Sequence, residues 1–369
     1  MQFAGAMKNE ISADCDDVAV MPKAINANSQ FSRLCRKLES IAWRDVGGRS
    51  SQALRVPGDL ERAAVAFANA RGVLILTGFP CHVDADVKSE TDGLSGAIAL
   101  AAAARVLNKP CAIATDECCA AGLRLALETR SRARGALVEA FVGGVAPDSA
   151  RAASLLALYD HTVACERAGV AADGTYRTMR AIDMGSLVAR LDVLLSSGTA
   201  ADVLLSSGTA AGGVAHERVM RSSTGIGDGG NECGMGAVRK AVMATVPNGA
   251  IIACVTVADA TIVTGVSNWG GWALAAAIGV AARHSPNRGD TRAHCQPTLL
   301  PTEEEEDALD LALEAAGVGD GVSGQVTPSG SVDGMQAPVH RSILAELKVA
   351  VDEWEVEQRE VDAKNSIKV

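Results

Sequence analysis

Aromatic side chains are scarce in this 369-residue chain: Phe, Tyr and Trp together make up 3%. Proteins that bind nucleic acid use a basic patch and commonly stack bases on such rings. Basic residues are in deficit too, with 34 Lys and Arg against 44 Asp and Glu and a net charge of −10. Both counts argue against a nucleic-acid partner and against an anionic membrane surface. Histidine is sparse and forms no H-x-x-H or H-E-x-x-H arrangement, which disfavours a zinc hydrolase. The ten cysteines contain no C-x-x-C pair. Cys118 and Cys119 are adjacent, a spacing that suits neither a zinc ribbon nor an ordinary disulfide. The thiols read as reduced, small, buried apolar groups, with a redox role for the adjacent pair as the lesser reading. No G-x-S-x-G nucleophile elbow and no G-x-x-x-x-G-K-[ST] loop occurs. The apolar run at residues 271–282 is too short to span a bilayer. Residues 1–20 carry Glu10, Asp14, Asp16 and Asp17 and have no apolar segment, unlike a secretory signal or an Arg-rich transit peptide.

What is present is a core of small and branched aliphatic residues, since hydrophobic residues reach 48%. Short apolar runs alternate with helical patterns. Strands are expected at residues 72–78, 111–115, 136–142 and 161–165, with helices at 95–106, 117–128 and 148–159 between them. Helices at 32–41 and 57–70, the latter capped by Asp59, precede them. Further helices are expected from near Ser186 and at 235–244, 269–283, 303–316 and 338–360. Strands are expected at 249–257 and 261–266. This alternation predicts an α/β fold, a largely parallel sheet covered by helices on both faces in three αβα layers. Residues 1–30 read as an arm and 31–369 as a single domain, with two lobes divided near 180–220 as the alternative. Residues 192–201 recur unchanged as 202–211. Ten residues leave a helix about 280° beyond whole turns, so a break at Gly198 is expected.

The most unusual stretch is residues 225–236. It holds six glycines together with Asp228, Asn231 and Glu232 and has no basic residue. Gly225, Gly227 and Gly230 match the dinucleotide-binding spacing, but residues 220–224 do not read as a buried strand, and Asp228 would intrude on a pyrophosphate. A nest of bare N–H groups suits an anion; an acidic glycine loop suits a cation or an ammonium group. A glycine-rich turn leading into the next helix is the competing reading. Other loops expected at strand ends carry Asp84, Asp86, Glu90, Thr91 and Asp92, then Glu166 and Asp173, then Asp259, Ser267 and Asn268, and finally Ser331 and Asp333. In open α/β sheets ligands collect beyond the carboxyl ends of strands. Crowded carboxylates repel unless a cation neutralises them, and hard divalent ions such as Mg²⁺ or Mn²⁺ suit oxygen ligands. Taken singly, each of these residues is also an ordinary turn former.

Taken together, certain strings resemble the D-glutamate cyclase family over roughly residues 30–350. They are residues 76–79, 90–93 with Gly96 and Ala97, 166–169 with Asp173, Gly174 and Tyr176, 225–236, 265–270, and 331–334 with His340. The chain departs from the pattern at Cys233, at Leu94 and Ser95, and in the ten-residue repeat and the 285–300 segment; no acidic position is lost. The resemblance implies conversion of D-glutamate to 5-oxo-D-proline and water; no nucleotide cofactor is expected, and the crowded acidic residues lead to the expectation of a divalent cation, Mg²⁺ or Mn²⁺. The residues matching the family strings supply the expected roles. Glu166, Asp228 and Glu232 are catalytic; Arg167, Asn231, Ser267 and Asn268 bind substrate; Glu90, Asp92, Asp228 and Glu232 hold the metal. Arg167 has a structural role beside Glu166 as its alternative. The chain reads as the cyclase-like domain alone, cytoplasmic, with the mitochondrial matrix as the alternative and a homo-oligomer left open. A metal-dependent phosphoester hydrolase and a non-catalytic amino-acid or metal-binding protein are the competing functions.

Overall fold

A computed structural model describes residues 29–48, 51–195, 221–284, 299–326 and 330–366. The expected arm lies almost wholly outside these residues, as do Gly198 and the second copy of the repeat. Helices α1 (Gln30–Ala42) and α2 (Asp59–Asn69) lead into strand β1 (Val73–Gly78). Then follow α3 (Leu94–Val106), β2 (Cys111–Asp116), α4 (Glu117–Glu128), β3 (Leu137–Phe141), α5 (Ser149–Leu158) and β4 (His161–Arg167). The second half contains α6 (Asp192–Leu195), β5 (Ser222–Gly227), α7 (Arg239–Thr245), α8 (Gly249–Ile252) and β6 (Ala260–Val263). Three long helices complete it: α9 (Ser267–His284), α10 (Glu303–Ala315) and α11 (Ala337–Ser366). Among the described residues no helix is long and apolar enough to cross a membrane.

All six strands are parallel, in the order β3-β2-β1-β4-β5-β6. This is the doubly wound order, in which the crevice lies where the chain reverses direction across the sheet, here between β1 and β4. Strands β4 and β5 pair directly, so one sheet joins the chain on both sides of residues 180–220. Alternation along β1 makes the layers. Val73 and Ile75 pack with α1, α2, α3 and α9, while Leu74 and Leu76 pack with α5 and the 189–195 segment. With few aromatics, close contact comes from small residues. A Cβ on Gly271 of α9 would lie 2.4 Å from the Gly96 Cα of α3, so these two helices cross backbone to backbone.

Four local expectations are corrected. Residues 222–227 do form a buried strand, β5, so Gly225 and Gly227 belong to the sheet and the glycine loop begins after them. The 249–257 run is not a strand: it makes the short helix α8 and then an extended piece bridging Ala171 and Gly234. Its β-branched residues satisfied a strand pattern locally, but β6 fills the place beside β5. Residues 185–187 form a turn rather than the start of a helix. Asp59 follows the cap, Gly58, and its carboxylate instead accepts the Thr261 N–H at 2.7 Å, fastening α2 to β6.

Candidate active site

The site forms where β1 and β4 end. Between Leu76 and Gly78 the β1–β4 register shifts, with Leu76 opposite Ala164 and Gly78 opposite Arg167. Strand β4 therefore carries one extra residue, and bulges of this kind re-aim side chains. Glu166 sits in the bulge at φ +43°, a region that non-glycine residues seldom occupy. The bulge also resets the alternation. Ala164 faces the α5 layer, and Arg167, three residues on, faces that same layer. There the Arg167 guanidinium is fully buried, paired with Asp116 and donating to the Gly78 and Ala189 carbonyls. The structure thus places Arg167 in a closed ion pair away from Glu166 and out of reach of a ligand there.

Gly93 makes room for Glu166, since a Cβ at this position (φ +81°) would fall 2.3 Å from the Glu166 Cβ. The neighbouring Asp92 ties two helices together. Its Oδ1 accepts the Gly93 and Asn268 N–H groups at 2.7 and 2.9 Å, and its Oδ2 accepts the Ser267 N–H at 3.0 Å. An acidic group at a helix N-terminus satisfies orphan donors and opposes the dipole. Asn268 returns the arrangement, its Oδ1 accepting the Gly96 N–H of α3 at 2.9 Å. Ser267 donates its hydroxyl to Glu166 Oε2 at 2.5 Å. Ser267 and Asn268 therefore hold carboxylates and helix ends in place and do not line the neighbouring cavity.

The glycine loop explains the dinucleotide spacing without a nucleotide. The backbone N–H groups of Asp228, Gly229 and Gly230 all donate to the Glu232 carboxylate, at 3.3, 2.7 and 2.7 Å. The nest is filled by the chain's own anion. A Cβ at Gly227 would collide with that carboxylate, 2.6 Å from Oε2. Asn231 donates to the Arg177 carbonyl at 2.8 Å, while its buried Oδ1 has no hydrogen-bond partner among the described residues.

One carboxylate oxygen each from Asp92, Glu166 and Asp228 lies within 4.8 Å of the others, and all three residues are buried. Burial pushes the Glu166 carboxyl well above the ordinary glutamate range, and the charges of Glu232, Asp92 and Glu90 push it further. Beside this cluster opens a cavity of about 370 Å³. Glu90, Glu166, Asp228, Glu232 and Asp333 line it, with Arg180 as the one Lys or Arg among the described lining residues. Phe79, Met179, Ile182 and Val322 supply apolar wall. Glu90 accepts the Cys81 thiol at 3.4 Å. Asp333 reaches the cavity from a turn in which it adopts φ +56°. The sequence pattern singled out its turn but not its role. Nothing in the local pattern distinguished Arg180.

The family described as D-glutamate cyclase-like, C-terminal, matches residues 38–348, a span that includes every residue of this site. Human D-glutamate cyclase, mitochondrial, is 34% identical over 352 residues, covering 88% of this chain and 53% of that protein. The chain spans about half the length of this curated relative. With the sheet and the acidic cavity both inside the matched span, the chain belongs to the D-glutamate cyclase-like C-terminal family.

Proposed function

We propose that the chain is a hydro-lyase that closes D-glutamate to 5-oxo-D-proline and water, reversibly. The observation that carries this reading is the acidic cavity of about 370 Å³ at the carboxyl ends of β1 and β4, within the roughly 300–1,000 Å³ range of small-molecule sites. D-Glutamate brings one ammonium group, and the reaction requires that group to lose a proton before its nitrogen attacks the side-chain carboxyl carbon. Two protons leave the nitrogen overall and depart with one carboxylate oxygen as water. Glu166 is the proton carrier in this reading. Without a cation at this carboxylate, its raised pKa brings it closer to an ammonium in basicity, which makes the exchange less uphill. Ser267 fixes Glu166 through its hydroxyl. Asp228 lines the same cavity as an acceptor for the nitrogen. Glu90 and Glu232 add negative charge that favours an ammonium. The apolar walls fold the substrate so that nitrogen and carboxyl carbon meet, where proximity lowers the barrier.

Asp92, Glu166 and Asp228 fit a hard divalent cation, Mg²⁺ or Mn²⁺, because three buried carboxylate oxygens converge with little positive charge nearby. When bound, such an ion supplies Lewis-acid polarisation of the substrate's side-chain carboxylate. Proton NMR of the purified 369-residue chain with D-glutamate, L-glutamate or 5-oxo-D-proline, each with EDTA or Mn²⁺, tests the reading. Interconversion of the D-forms alone is expected, slowed by EDTA and reduced by roughly 100-fold or more in Asp228→Asn. No interconversion in any arm, or full activity in a folded Asp228→Asn protein, overturns it.

A further inference from the structure

Among the described residues that line the cavity, Arg180 is the one Lys or Arg beside five carboxylates, and it has no role in the proton chemistry. Arg180 stands at the tip of a tight turn. The Thr178 N–H donates to the Ile182 carbonyl at 3.0 Å, and the Thr178 hydroxyl accepts the N–H groups of Arg180 and Ile182, each at 3.2 Å. Ala181 holds φ +62° in that turn. Two amides anchor the turn to neighbouring segments: Asn231 donates to the Arg177 carbonyl at 2.8 Å, and Asn248 to the Met179 carbonyl at 3.0 Å. From this base the Arg180 side chain lines the cavity and reaches the segment that carries Val322. Its Nη2 donates to the Val322 carbonyl at 2.5 Å, on a turn that buried Asp320 holds by accepting the Val322 and Ser323 N–H groups. A guanidinium presents five donors in a planar fork matched to a carboxylate. The chain gives this one a single neutral carbonyl partner among the described residues.

Resting on the cyclase reading, we infer that Arg180 is the specificity-determining residue that binds the α-carboxylate of D-glutamate, the carboxylate that survives in the product. The assignment follows from charge order. The ammonium belongs with Glu166 and Asp228, two of the carboxylates that line the cavity, and the side-chain carboxylate must lie beside it to react. The α-carboxylate is the remaining charged group, and Arg180 is the remaining cation. The cavity then selects amino acids that keep a free α-carboxylate and rejects the same chain without one.

Calorimetry tests this independently of turnover, with 5-oxo-D-proline and 2-pyrrolidinone, its analogue lacking the carboxylate, titrated into wild type, Arg180→Lys and Arg180→Ala. Wild type is expected to prefer 5-oxo-D-proline. Arg180→Ala is expected to weaken that ligand by roughly 10- to 100-fold, the loss of a charged hydrogen bond, to leave 2-pyrrolidinone unchanged, and Arg180→Lys to fall between. Equal weakening of both ligands, no weakening of 5-oxo-D-proline, or no carboxylate preference in wild type overturns the inference. Carboxylate-selective binding that depends on Arg180, without conversion of D-glutamate, supports this assignment and refutes only the cyclase reading.

Discussion

Glu166 concentrates the tension of this site in one side chain: a buried carboxylate, on strained backbone, beside four others. Its folded-state pKa is raised, so between the unfolded value and the folded one the native protein holds a proton that the unfolded chain has released. Stability from this group is full below the unfolded value and is lost as pH rises through the folded one. Glu166→Gln is therefore expected to abolish activity, to flatten the decline of stability above about pH 5, and to unfold at higher urea near neutral pH than wild type. A variant less stable than wild type at neutral pH would contradict the burial argument. His161 works in the opposite sense. Fully buried at the start of β4 and within 2.7 Å of the Ser222 hydroxyl, it is pushed down to about 4. Its contribution is complete above the unfolded value near 6.5 and fades as pH falls toward 4, a change of about 3 kcal/mol at full extent. Urea titrations between pH 7 and 4 should show this slope in wild type and a shallower one in His161→Gln.

At the scale of elements, the crossing of α3 and α9 decides where the acidic groups stand. The two helix N-termini cap each other, through Asp92 just before α3 and Asn268 in the first turn of α9, and this exchange works only because Gly96 and Gly271 let the backbones touch. Adding one methyl at Gly271 forces the helices apart. Gly271→Ala is expected to cost about 1–3 kcal/mol and to lower activity as well, because Asp92 and Ser267 move with the helix ends. Gly279 lies further along α9, and its added Cβ would stop 3.4 Å from the Leu299 Cγ, an ordinary contact. Gly279→Ala should be neutral or stabilising by up to about 1 kcal/mol through helix propensity. Thermal and urea unfolding of the two variants separates crowding from propensity.

Over the whole molecule, the layer behind the site is locked by a polar knot. Arg130, just past α4, pairs with Glu306 of α10 and donates to Ser95 of α3, while Trp272 of α9 donates to the same Ser95 hydroxyl at 2.8 Å. Arg341 of α11 closes on Glu306 from the other side at 3.5 Å. Breaking a buried pair strands a charge, so Glu306→Gln is expected to cost about 3–5 kcal/mol in urea unfolding. Replacing Arg130 and Glu306 together by Met and Leu should recover much of that loss. A double variant as unstable as the single one would mean that the knot has no apolar substitute.

The sequence by itself determined the alternation of strands and helices, because hydrophobic period is a local property that survives tertiary packing. It likewise placed Glu90, Asp92, Glu166, Asp228 and Glu232 at one end of the sheet, since parallel strands put their carboxyl ends together, although Glu166 proved to be the last but one residue of β4 and not part of a loop. It could not say which of these meet. Asp92, Glu166 and Asp228 converge because β1 and β4 are neighbours across the reversal of strand order and because a single bulged residue turns Glu166 one way and Arg167 the other. A bulge is a mismatch between two strands, so no reading of either strand alone contains it. The glycine loop's spacing pointed to an anion nest, but only folding showed the nest filled by Glu232, four residues after the first N–H that it binds. Arg180 and Asp333 reached the cavity from segments far apart in the chain, on turns with no periodic signal. Their place was set by tertiary contact alone.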